Sequence, residues 1–235
     1  MSLSKPCRLL AIPPELRNHI YSLLLSSSTT IRVTHEGITR PRPCKLVFPN
    51  EDPSHQTTNI IATNRQVQQE AAAILYGNNT FLFVSTRALT VFLAHVSRSA
   101  RCLRSVTLDA LDCERDVLRF SANMLTQVTA LSCLTIRVSR YYPDEAPEIA
   151  SDLLPLVRTL YNARMQSKIT DILEIIKIVP DGEETQLVRI DVKTAVGIEL
   201  STSKDQKFKA WVDDIKTHLA EIVADENGDG VVSMK

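Results

Sequence analysis

Between residues 81 and 138 the apolar pattern switches back and forth between a period of two and a helical period. That alternation restricts the chain to folds in which helices cover a sheet. Phe81-Leu82-Phe83-Val84 reads as a short strand, and residues 86–98 then carry Leu89, Phe92, Leu93 and Val96 at helical spacing behind a Ser85 or Thr86 cap. Leu103 to Leu108 reads as a strand. Asp112 is placed to cap a helix bearing Val117, Leu118, Ser121, Met124, Leu125 and Val128 on one side. Leu131 to Val138 reads as a further strand, with Leu134, Ile136 and Val138 on one face. The expected class is α/β, with α+β as the alternative grouping of the same elements.

Beyond residue 140 the pattern continues. A helix is predicted over 146–166, kinked or split by Pro155. Leu173 to Val179 and Gln186 to Val192 flank Pro180 to Thr185 as a β-hairpin would, and Val196 to Leu200 could add a strand. The last helix, about 204–224, has a continuous stripe of Phe208, Trp211, Val212, Ile215, Leu219, Ile222 and Val223, which is expected in the core.

Two strand–helix units share a phrase. Leu103-x-x-Val106-x-Leu108 and Leu131-x-x-Leu134-x-Ile136 both fit LxxLxL and start 28 residues apart, inside the ~20–29-residue period of leucine-rich repeats. The Asn that such a repeat places eight positions after its first Leu is replaced by Leu111 and Ser139, and the next match, Leu173-x-x-Ile176-x-Ile178, begins 42 residues later. A compact sheet with leucine-rich-repeat-like topology therefore fits better than a regular solenoid.

The N-terminal part reads differently. Pro13-Pro14 suits a first helical turn, where a missing N–H costs nothing, and Glu15 complements the positive end of the helix dipole. Leu16, Ile20, Leu23 and Leu24 then share one face. Residues 26–58 are rich in Pro, Ser and Thr, and read as a loop insertion holding two short strands around Ile31–Val33 and Leu46–Phe48. Asn59 is the expected cap of a second helix, with Val67, Ala71, Ile74 and Leu75 inward and Gly77 as its stop. These elements divide the chain into 1–84, a helical segment with the 26–58 insertion, and 85–235, an α/β region packed with it as one globular unit.

Composition excludes more than it selects. Aromatics make up only 5% of the chain, so aliphatic residues must fill the core. The five cysteines, Cys7, Cys44, Cys102, Cys113 and Cys133, share no CxxC spacing, which fits reduced thiols better than a disulfide framework or zinc site. Residues 1–10 lack an apolar signal region, and no apolar run approaches the ~18 residues of a membrane span. A cytoplasmic or nuclear location is expected, without a membrane partner. The sequence contains no GxSxG, HExxH, P-loop or GxGxxG motif, and the five histidines show no ligand spacing. His95 and Cys102 have no supporting catalytic motif. Asp225 to Gly230 fits the start of a calcium loop, yet its twelfth position would be residue 236 in a 235-residue chain. No catalytic residue, metal or cofactor is expected, and the chain reads as a non-enzymatic binding protein.

The net charge of zero hides an imbalance. Residues 1–140 carry 16 Lys+Arg against 9 Asp+Glu, and residues 141–235 carry 11 against 18. Attraction between the halves or plain surface choice accounts for this; an acidic partner or RNA for the arginine-rich half is the alternative. Arg98, Arg101 and Arg104 form a basic cluster at three-residue spacing, able to line one helix edge. No aromatic residue interleaves to stack bases, so nucleic acid is not the expected partner.

Two stretches carry a family resemblance. Ile12-Pro13-x-Glu15-Leu16-x-x-x-Ile20-x-x-x-Leu24 resembles the F-box opening LPxELxxxIxxxL, and Asn64-Arg65, Glu70-Ala71 and Leu75-Tyr76-Gly77-x-Asn79-x-Phe81 resemble the second segment of fungal F-box-like proteins. The helix and LxxLxL strand of Ala88 to Leu108 resemble the next elements of that family, so the likeness covers about residues 8–110. It implies F-box-like helices at the N-terminus and a Skp1-like adaptor protein of a cullin ubiquitin ligase as partner. Pro13, Leu16, Ile20 and Leu24 would supply the docking face, and the α/β region would hold an unidentified target protein. Typical F-box helices are contiguous, whereas about thirty residues separate the two parts here. Leu16, Ile20 and Leu24 thus either face a partner or are consumed in the core, the second case leaving a structural or regulatory domain without ligase docking.

Overall fold

A computed structural model describes residues 8–35, 44–47, 58–110, 115–138, 145–164, 168–180 and 202–226. Among them the chain is α/β: seven α-helices and a mixed six-stranded sheet of order β2-β1-β3-β4-β5-β6. The strands are β1 (Ile31–Thr34), β2 (Lys45–Val47), β3 (Thr80–Phe83), β4 (Ser105–Ala110), β5 (Cys133–Val138) and β6 (Ile176–Pro180). The helices are α1 (Pro14–Leu25), α2 (Arg65–Asn78), α3 (Thr86–Val96), α4 (Arg115–Leu125), α5 (Ala146–Ala163), α6 (Ile169–Leu173) and α7 (Thr202–Glu226). No described helix is long and apolar enough to cross a membrane.

Two compact units divide the chain, 1–108 with 127–134 and 109–126 with 135–235. In the first, the two short strands expected in the 26–58 insertion, β1 and β2, pair antiparallel, with Val33 opposite Leu46. β1 then pairs parallel with β3, Ile31 opposite Phe81, and β3 pairs parallel with β4, Phe81 opposite Val106. Parallel neighbours need a crossover between them, which α2 and α3 supply. Ile31, Val33, Phe81, Phe83, Leu89, Leu93, Leu103 and Val106 are buried, and Phe92 sits within 5.1–5.8 Å of the rings of Phe83, Phe81 and Tyr76. In the second unit, α5 packs against α4, α6 and α7. The predicted stripe of α7 is partly interior: Trp211, Ile215, Leu219 and Val223 are buried, while Phe208, Val212 and Ile222 are half-buried.

Several local expectations shift. The second helix is capped not by Asn59, which lies in a 3-10 turn (Thr58–Ala62), but by Asn64, whose Oδ1 accepts from the Gln66 N–H at 2.8 Å. Pro155 neither splits nor ends α5, which runs through it to Ala163. Leu173 closes α6, and the strand expected over 173–179 begins at Ile176. Asp112, the strands expected at 186–192 and 196–200, and residues 227–235 of the acidic tail lie outside the described residues.

Gly77 does not stop α2. The helix continues to Asn78, and the backbone of Gly77 is not left-handed. A methyl group there would meet the Cys102 carbonyl oxygen at 3.6 Å and Arg104 Nε at 3.9 Å, ordinary van der Waals distances. Gly77→Ala should therefore stabilise the protein by about 0.5 kcal/mol through reduced freedom of the unfolded chain. A lower midpoint in urea unfolding would show that this explanation is wrong.

Candidate functional site

Helix α1 presents two stripes, and the less apolar one faces inward. Arg17, Tyr21 and Leu25, four residues apart, are buried. The stripe of Leu16, Ile20, Leu23 and Leu24 faces away: Leu16 is 56% exposed, Leu23 73% and Leu24 39%, with Ile20 half-buried and Pro13 exposed. Of the four large apolar side chains exposed among the described residues, three are on this helix, the other being Phe120. Isolated exposed leucines mean little, but three within a few turns of one helix form a contiguous patch.

An arginine can be the inward residue because every polar group around it is matched. Arg17 grips Glu70 of α2 with a bidentate fork, Nε donating to Oε2 at 2.8 Å and Nη2 to Oε1 at 2.6 Å. Its Nη1 donates to the Ile12 carbonyl at 2.5 Å and the Leu10 carbonyl at 3.4 Å, tying down the 3-10 turn Arg8–Ala11. Tyr21 Oη donates to Glu70 Oε2 at 3.2 Å, and Gln66 Nε2 to Oε1 at 3.0 Å.

The Arg17 bonds, then that of Gln66, hold the Glu70 pKa down from 4.5 to about 2. A depressed carboxylate stabilises the fold fully above its unfolded value and loses that contribution as pH falls through its folded value. Wild type should therefore melt roughly 5 °C above Glu70→Gln at pH 7, with the gap closing between pH 4.5 and about 2. A gap unchanged at pH 2.5 would mean the difference lies in packing and not in the charge.

The opposite end of the helix pair is closed by one amide. Asn79 is buried; its Nδ2 donates to the Leu25 carbonyl at 2.7 Å and the Leu75 carbonyl at 2.7 Å, and its Oδ1 accepts from the Ser27 N–H at 2.6 Å. The C-termini of α1 and α2 thus share a cap. Tyr76, three residues earlier, packs its ring 5.9 Å from Phe81, and burial, with a contribution from Cys102, pushes its hydroxyl pKa up to about 12. Sequence reasoning missed the roles of Arg17 and Glu70; the available signal was the Arg17, Tyr21, Leu25 spacing, a second candidate inner face of α1.

Two of the three clustered arginines share one turn. Arg98 and Arg101 lie in a 3-10 turn (Ser97–Cys102) that follows α3, and both are exposed. Arg104 lies beyond that turn, with its Nε 3.9 Å from where a Gly77 Cβ would stand. Ser97, Arg98, Arg101, Gln127 and Thr129 line an open depression of about 480 Å3 in which Arg104 takes no part. His95 turns its Nδ1 to the Val91 carbonyl of its own helix at 3.0 Å. Among the described residues, no group of three or more His, Cys, Asp or Glu side chains is placed to hold a metal ion. Comparison of the chain with protein-family models, with curated proteins and with solved structures returned no match.

Proposed function

We propose that this chain is a non-enzymatic, F-box-like interaction module that docks on a Skp1-like adaptor protein through the outer face of α1, with Pro13, Leu16, Ile20 and Leu24 as contacts. The observation that carries this reading is the outward turn of the apolar stripe. A domain that consumed its first helix in its own core would bury Leu16 and Leu24, whereas both stand in solvent here.

The way α1 is held supports the same reading. The two stretches that carry the F-box-like resemblance are linked by Arg17–Glu70 and by Asn79–Leu25, residues 53 and 54 apart in the chain. The 26–58 insertion therefore leaves the helix pair assembled. A helix anchored by polar bonds on one side can present an apolar surface on the other without loosening.

Strands β3 and β4, neighbours in sequence and joined by α3, resemble one unit of a leucine-rich-repeat-like array, and β5 and β6 extend the same order. In this reading the α/β region holds the target protein, and the module works in the cytoplasm or nucleus. The test is co-purification of the full chain with a Skp1 adaptor, comparing wild type with Leu16→Asp plus Ile20→Asp. Capture by the wild type and loss in the variant is the expected result; equal capture by both removes α1 from the interface.

A further inference from the structure

We draw no further inference here: the strongest candidate, the side-chain pair His35 and Cys44 at the adjoining ends of β1 and β2, where the buried His35 Nε2 has no hydrogen-bond partner among the described residues and the Cys44 thiol donates to the Ala88 carbonyl at 3.4 Å, comes down to a lone cysteine beside a histidine that is only half-buried, with nothing else there that points to a ligand.

Discussion

Asn79→Ala should lower the free energy of unfolding by about 3 kcal/mol and the melting temperature by roughly 6–12 °C. The side chain is 2% exposed and makes three short hydrogen bonds, all to backbone groups at the ends of two different helices. Alanine would leave the Leu25 and Leu75 carbonyls and the Ser27 N–H without that partner at a buried position. The loss exceeds that of an ordinary helix cap, at about 1 kcal/mol, because one residue closes both helices. Asn79→Asp should cost at least as much, since a carboxylate oxygen would then face two carbonyl oxygens. Urea unfolding with an unchanged slope is the measurement. A loss below about 1 kcal/mol would mean that the shared cap is not what holds the helix ends together.

The second large effect concerns binding and leaves folding nearly untouched. Leu16→Asp plus Ile20→Asp should weaken adaptor capture by at least roughly 100-fold, because two apolar side chains of about 1.5–3 kcal/mol each are lost and two charges would have to be desolvated. The same double change should alter stability by about 1 kcal/mol at most, because Leu16 is 56% exposed and Ile20 is half-buried. That separation makes the experiment decisive, as a folded variant that fails to bind has lost a contact surface. Phe120→Asp is the matched control: it removes the one large exposed apolar side chain that lies outside α1 among the described residues, and should leave capture unchanged. Capture lost equally in the control would point to a general effect of added charge.

The acid sensitivity of Glu70 connects these two results. Anchoring of α1 depends on a fork between residues 53 apart, so lowering the pH toward 2 should loosen the helix that carries the proposed docking face. Adaptor capture measured near pH 7 is free of that effect, since Glu70 is then fully ionised.

How much of this is legible in the chain depends on whether the signal is local. Pro13-Pro14 announces the start of α1, and Ser85 announces that of α3, where its Oγ accepts from the Ala88 N–H at 3.1 Å. Leu134, Ile136 and Val138 alternate into the core as their spacing predicts. Where two residues offer the same local signal, the pattern misleads. Asn59 and Asn64 are both competent caps, and the 3-10 turn over Thr58–Ala62 decides between them. Gly77 offers a helix stop that the chain does not need, because the Asn79 amide two residues later satisfies the Leu75 carbonyl. Pro155 costs α5 one internal hydrogen bond, and the packing of α5 against its neighbours outweighs that loss.

The sequence by itself determined the alternation of strands and helices, the apolar stripe of α7 and the Leu16, Ile20, Leu23 and Leu24 face of α1, since each follows from periodicity over a few turns. Only the tertiary structure decided which face of α1 turns inward and which arginines share a depression. Those outcomes depend on partners far away in the chain: Glu70 neutralises Arg17 and lets a charge go inside, and Gln127 and Thr129 complete the lining around Arg98 and Arg101 while Arg104 lies outside it. Burial of a side chain is settled by whether its polar groups find matches in three dimensions, and a local pattern carries no record of those matches.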